Sequence, residues 1–461
     1  MDKLYISKQK INEIMVKKKI KTQTELAKLM GITKNQLSVI LSGNFSPIKS
    51  NIRLLCEILD VNLDEIIEYK YKTSEQLNKY CIAEKKEKYD LKTITDDYLD
   101  LKEIDFYDVL NLKQEEYVDI SEIKPLRGYN VVELFAGAGG LACGLEEAGF
   151  NSVGLVENNK YCCQTLRANR PKWNVIEGDV VNIAERGIRN FIPDINIDLL
   201  SGGYPCQAFS YSGKKLGLSD VRGTMFYYYA AILKDLKPKM FLAENVRGLV
   251  SHDGGKTLET MKNVFEEIGY KVEHRVLKAL DYGVAQKRER VIIVGIRNDF
   301  CDIKYYPPRK FLYKPTLRDA LKNVPKSIGA KYPESKRKVL DLVPPGGYWR
   351  DLDEEIAKQY MGKSYYSTGG RTGMARRISW DEACLTLTCS PAQKQTERCH
   401  PDETRPFTIR EYARIQSFDD NWQFCGSMAE QYKQIGNAVP VNLAKAVGLS
   451  IINTLNKMEL K

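Results

Sequence analysis

The chain has 461 residues, 43% apolar and 28% charged, enough for two or three domains that each bury a core. No apolar run approaches the roughly 18 residues of a membrane span. Met1-Asp-Lys-Leu-Tyr-Ile lacks a signal-peptide layout, and the eleven cysteines are odd in number and scattered, so a reduced, cytoplasmic protein is expected. The net charge of +10 is compatible with a polyanionic partner without requiring one, and no spacing suits a metal, since Cys389, Cys399 and His400 form no C-x-x-C pair.

Residues 1–70 read as a small all-helical domain. Ile11, Ile14 and Met15 set a helical stripe, and Thr22-Gln-Thr-Glu25 forms a capping box opening a second helix that Gly31 ends. Thr33-Lys-Asn-Gln36 is a second box, opening a third helix through Leu37, Ile40 and Leu41 to Gly43; a fourth follows at Ile52–Leu59. Two short helices joined by a tight Gly-containing turn make a helix-turn-helix arrangement. The segment resembles the Cro/repressor-type domains, and that resemblance implies that Lys34, Asn35, Gln36 and Ser38 face the major groove of DNA. A helical interaction or dimerisation module is the alternative. Residues 71–126 are dense in Lys, Glu, Asp and Tyr and lack glycine, which reads as a charged, partly helical linker.

From Tyr129 strands and helices alternate. Val131–Phe135, Val153–Val156, a weaker strand before Gly178, Ile197–Ser201, Lys239–Ala243 and Val291–Gly295 predict a doubly wound, mostly parallel α/β sheet. Gly137-Ala-Gly139-Gly140-Leu-Ala142 satisfies the G-x-G-x-x-A dinucleotide pattern, and Glu157 stands twenty residues on, where an acid can accept from ribose hydroxyls. A dehydrogenase with an active-site thiol is one reading of this half. Ser201-Gly-Gly-Tyr-Pro-Cys-Gln-Ala-Phe-Ser210 then places Cys206, after the φ-restricted Pro205, in a loop at the carboxyl end of a strand.

Gly-x-Pro-Cys-Gln-x-Phe-Ser resembles the nucleophile loop of the DNA (cytosine-5)-methyltransferases, and further motifs of that family follow in order. Glu133-Leu-Phe-Ala-Gly-Ala-Gly-Gly140 resembles the first motif, with Glu133 where the family usually has Asp; Glu244-Asn245-Val246, Gln286-Lys-Arg288-Glu-Arg290 and Gln434-Ile-Gly-Asn-Ala-Val-Pro440 match later ones. The resemblance implies a Rossmann-like S-adenosylmethionine-dependent fold and assigns the cofactor site. Phe135 and Pro205 would line the adenine pocket, Gly137, Gly139 and Gly140 would form the glycine loop, and Glu157 would bind the ribose. Asp179 would accept from the adenine amino group beside Val180, Met225 would touch adenine, and Asn437 would complete the site. Asn158 stands where the family often has a bulky side chain.

The chemistry implied is attack of the Cys206 thiolate on carbon 6 of a flipped-out cytosine. Glu244 would serve ring nitrogen 3, Arg290 the carbonyl at position 2, and Arg288 the nucleophile loop or its phosphates; Asn245 would hold the Pro205-Cys206 turn. Ser212, in the polar loop after Cys206, would enter the gap left by the base.

Residues 127–302 would be the catalytic, cofactor-binding domain. Residues 303–432 would be a small, irregular target-recognition domain with Arg371, Arg376, Arg377 and Lys394 as candidate DNA contacts, and 433–461 a return to the catalytic domain. The expectation is therefore a double-stranded-DNA cytosine-5 methyltransferase, monomeric in catalysis, able to dimerise through residues 1–70 and to repress its own gene. A restriction endonuclease would act on the same sequence. An RNA (tRNA) cytosine methyltransferase and a DNA-binding regulator with a decayed catalytic domain are the alternatives.

Overall fold

The computed structural model describes residues 4–6, 8–18, 20, 22–30, 37–38, 41, 55, 58–59, 61, 67–69, 117–205, 221, 223–367 and 371–461. By backbone proximity the chain divides into two units, Met1–Leu110 and Asn111–Lys461.

In the first unit, α1 (Lys8–Lys17) and α2 (Gln23–Leu29) bury Ile11, Met15, Leu26 and Ala27 with Met30, Leu37, Leu41, Leu55 and Leu59. The Thr22 hydroxyl accepts from the Glu25 amide at 3.1 Å, so Thr22 caps α2 at the predicted position. The segment is not all-helical as expected: β1 (Leu4–Ile6) pairs antiparallel with β2 (Ile67–Tyr69), closing the two ends of the segment on each other. Ser38 is helical and exposed, whereas Lys34, Asn35 and Gln36 lie outside the described residues.

The second unit is built on a seven-stranded sheet of β3 (Tyr129–Leu134), β4 (Phe150–Glu157), β5 (Val175–Glu177), β6 (Leu199–Gly202), β7 (Met240–Val246), β8 (Tyr270–Lys278) and β10 (Glu289–Arg297), with β9 (Gln286–Lys287) outside it. Their spatial order is β5-β4-β3-β6-β7-β10-β8. The first five in that order run parallel, and β10 runs antiparallel to both neighbours. Chain order reverses between β3 and β6, which opens a crevice at the carboxyl ends of the strands, the usual place for a ligand in such sheets.

Both faces are covered. On one, α6 (Met225–Leu236) and α7 (Lys256–Glu267) bury Phe226, Tyr229, Leu233 and Phe265 against Leu134, Leu200 and Phe241. On the other, α3 (Gly140–Ala148) packs on α13 (Val441–Glu459). A Cβ at Gly144 would lie 2.4 Å from Ala444 Cβ, so the contact needs small residues. Where the sequence reading found no span-length apolar run, Met428–Glu459 is long and apolar enough to cross a membrane by composition, but 78% of its most apolar window is buried in this unit.

The 71–126 linker ends earlier than the sequence suggested. Val118 bridges to Pro308, Ile120 is buried beside Tyr129, and Asn456 bonds the backbone of Lys124 and Leu126, so residues 117–126 belong to the sheet unit. Residues 303–432 are as irregular as read, with short helices α8 (Leu317–Leu321), α9 (Glu334–Leu340), α10 (Glu354–Met361) and α11 (Ile409–Ile415).

Candidate active site

The cofactor-side wall grows from the ends of β3 and β4. Phe135 leaves β3 with φ 58, and the Ala136 amide bonds the Val156 carbonyl, which ties the turn to β4. Both oxygens of Glu157 are then used: one accepts from the Gly137 amide and the other from the Asn159 amide, each at 2.7 Å. Asn159 caps α4 (Lys160–Asn169). A Cβ at Gly140 would stand 2.2 Å from the Val439 carbonyl oxygen, so only glycine lets the C-terminal return close over this turn. Below it Glu133 is fully buried. Burial pushes its carboxyl up to about 8, against an opposing hydrogen bond from Ser201, so it is largely neutral at pH 7.

The opposite wall comes from β6, β7 and β10. Asn245 donates to the Tyr204 carbonyl at 3.0 Å, holding the backbone just before Pro205 as read from sequence. Glu244 is one residue earlier on β7. The antiparallel register of β7 and β10 sets Arg290 opposite Val246, and Arg290 Nε lies 2.6 Å from Glu244 Oε1. Both side chains keep a little exposure, 11% and 12%, and line the cleft. A Cβ on Gly203 would meet Glu244 Oε2 at 2.7 Å, so this glycine leaves room for the carboxylate.

Arg288 differs from its neighbour two residues on. It is 2% exposed, lines the cleft, and donates to the carbonyls of Leu387 at 3.2 Å and Gly436 at 3.1 Å, while its buried Nε has no partner among the described residues. Burial pushes its guanidinium down to about 9, and Arg290 adds to the effect. Among the described residues Arg288 therefore clamps the 387 and 436 segments, and the loop it was expected to order lies outside them. Gln286, fully buried, bonds Gln416 and the Leu387 amide. The alternation of residues 286, 288 and 290 could have signalled that all three share a face, but their partners at 244, 387, 416 and 436 lie far off in the chain and gave no local sign.

Phe135, Gly137, Gly140, Glu157, Pro205, Met225, Glu244, Arg288, Arg290 and Asn437 thus meet in one cleft of about 780 Å³. Three other sites read from sequence do not line it. Gly139, with φ 89, starts α3 from behind, where a Cβ would meet Leu166 at 2.8 Å. Asp179 is instead exposed and caps α5 (Val180–Arg186) by accepting from the Val181 amide, and Val180 is buried in the core. Cys206 and Ser212 lie outside the described residues.

Two of the candidate DNA contacts turn inward instead. Arg377 is buried and donates to the carbonyls of Leu340, Val343, His400 and Pro401 and to the Thr404 hydroxyl. Arg376 bonds the Gly346 carbonyl and pairs with Glu382. Both arginines satisfy loop backbone, and Arg376 also a half-buried acid, which turns them inward. Arg371 bonds the Ser367 carbonyl, and Lys394 lies over the Tyr360 ring. Cys389, Thr386, Glu430 and Lys433 line the cleft and were not singled out as site residues.

Residues 129–453 match the C-5 cytosine-specific DNA methylase family, and residues 10–72 match the Cro/C1-type HTH DNA-binding domain. The chain is 53% identical to Type II methyltransferase M.Sau96I of Staphylococcus aureus over 98% of its own length and 99% of that protein. It is 59% identical to Type II methyltransferase M.Eco47II of Escherichia coli over 72% of this chain and 80% of that one. A solved E. coli prophage-encoded chain shares the fold, with a TM-score of 0.53 and 24% identity over 71% of this chain and all of that one. The crevice at the strand reversal and these matches agree: the chain belongs to the C-5 cytosine-specific DNA methylase family and carries a Cro/C1-type helix-turn-helix domain.

Proposed function

We propose that the enzyme methylates carbon 5 of a flipped-out cytosine in double-stranded DNA, with S-adenosylmethionine as cofactor. The cleft suits that cofactor by its donor set: a carboxylate, Glu157, sits beside a glycine turn, and Phe135, Pro205 and Met225 offer apolar walls. When bound, the cofactor supplies a methyl group on a sulfonium. The observation that carries the reading is the Glu244–Arg290 pair, which faces the same cleft as the Gly137–Glu157 turn.

Cytosine carbon 5 is a poor nucleophile until the ring is activated. Cys206, the residue after Pro205, would add as thiolate to carbon 6, forming a carbon–sulfur bond and moving an electron pair towards nitrogen 3 and carbon 5. Glu244 would hold a proton at nitrogen 3, and Arg290 would donate to the oxygen at position 2, stabilising the charge as it develops. Once carbon 5 carries the methyl group, loss of its proton and expulsion of the Cys206 thiolate would restore the ring double bond and complete the turnover. Arg288, bonded to Leu387 and Gly436, would act by fixing the cleft wall. Glu244→Gln keeps the shape and removes the charge. Turnover should fall roughly 10²-fold or more with DNA binding little changed, whereas equal losses in both would make the residue structural.

The relatives are Type II methyltransferases, which supports a place in a restriction–modification pair with an endonuclease acting on the same sequence. Residues 1–70 would then read an operator near the gene, as a dimer, through Lys34, Asn35, Gln36 and the exposed Ser38. Deleting residues 1–70 should leave the methylated sequence unchanged, by bisulfite sequencing, and abolish the operator footprint. A changed target sequence would make the domain a clamp on substrate DNA.

A further inference from the structure

The segment 386–389 runs beside the helix α12 (Met428–Asn437) and the turn after it. A Cβ at Gly436 would lie 2.6 Å from the Thr388 carbonyl carbon and oxygen, so the two backbones touch. Arg288 bridges them, one terminal nitrogen on Leu387 and the other on Gly436. One side-chain bond completes the seam: the Cys389 thiol donates to Asn437 Oδ1 at 2.8 Å. Both residues line the cleft.

A side-chain amide has one acceptor and one donor end, and they are interchangeable in shape. Something must therefore decide which end of Asn437 faces the cleft. The thiol engages Oδ1, which leaves the amide NH₂ as the end free to donate. Cys389 is exposed to the cleft, and the partial burial of its thiol outweighs Arg288 and Lys433 and raises it above its ordinary value, so it keeps its proton at neutral pH. The bond also joins a segment of the recognition region to the cofactor side of the cleft.

We infer that Cys389 is a positioning residue that orients the Asn437 amide so that its NH₂ group donates to an acceptor on the bound cofactor. This rests on the reading that Asn437 contacts S-adenosylmethionine. The full-length enzyme would be tested as Cys389→Ser, Cys389→Ala, Cys389→Val and Asn437→Ala, measuring cofactor KM, kcat on DNA, and S-adenosylhomocysteine binding by calorimetry. Losing one such hydrogen bond should raise cofactor KM about fivefold in the Ala and Val variants. The change in kcat should be smaller, and Ser, which still carries a donor, should stay within about twofold of the parent. The two donor-free variants differ in bulk, so a packing defect would separate them and a lost donor would not. If Asn437→Ala weakens cofactor binding but Cys389→Ala and Cys389→Val do not, the inference is overturned; Ser as impaired as Ala overturns it too. If Asn437→Ala leaves cofactor binding unchanged, the reading beneath it fails instead.

Discussion

In the sheet, Val132, Leu134, Leu200, Phe241 and Ile293 are buried, and each strand's backbone is bonded by its neighbours. In residues 303–432 short helices alternate with loops, and buried charged side chains take over that task. Arg377 serves five acceptors, and Glu397, fully buried, accepts from Tyr360 and the Ala375 amide and pairs with Lys336 at 2.8 Å. The Arg405–Glu411 pair ties the Pro406 turn to α11. A regular sheet can vary its apolar residues within a volume. An irregular region held by single polar side chains depends on each of them.

The largest effect should come from breaking one such hub. Arg377→Met removes five hydrogen bonds from a buried side chain and should destabilise the protein by about 3–5 kcal/mol. Urea unfolding would measure the loss, with protease cleavage first appearing between residues 330 and 405. A shift under about 1 kcal/mol would mean the loops hold themselves.

The second test sharpens the contrast from the sheet side, where Glu133 is a buried carboxyl with little support. Its folded value of about 8 stands above the ordinary 4.5, so the native state holds a proton that the unfolded chain releases. Stability contributed by that proton is fully present below pH 4.5 and is lost as pH rises towards 8. Glu133→Gln should remove the dependence, cutting the fall in stability between pH 5 and 7 by about 3 kcal/mol. Parallel pH–stability curves for variant and parent would refute it. A smaller, local effect is expected at Gly203→Ala, whose Cβ would press on Glu244 and shift it from Arg290. Turnover should drop roughly 10²-fold while the melting temperature moves by a few degrees at most; unchanged turnover would show that the pair tolerates the shift.

The same contrast explains what the sequence made legible. Strands β3, β4, β6, β7 and β10 announced themselves as apolar runs because they lie inside the sheet. The edge strand β8 went unread: Lys271, Glu273, His274 and Arg275 interrupt its apolar residues, and an edge needs only one buried face. The β1–β2 pair is too short to carry a period. In the site, glycines and motif order pointed to the right turns, yet the Glu244–Arg290 contact depends on antiparallel register across β7 and β10. The inward turn of Arg377 was hidden for a related reason, because an arginine bonding five distant backbone and hydroxyl groups looks, in sequence, like one facing solvent.

Attack of Cys206 on the ring, with Glu244 and Arg290 around it, is the step on which the proposed reaction turns. Duplex DNA carrying 5-fluorocytosine at the target would test this directly, because fluorine at carbon 5 blocks release of the thiol after methyl transfer. Incubated with S-adenosylmethionine, the enzyme should form a denaturant-stable adduct whose mass maps to the peptide containing Cys206, and Cys206→Ser should form none while still binding the DNA. An adduct mapped to another cysteine, Cys389 in the same cleft included, or full methylation without any trapped species, would rule out Cys206 as the nucleophile.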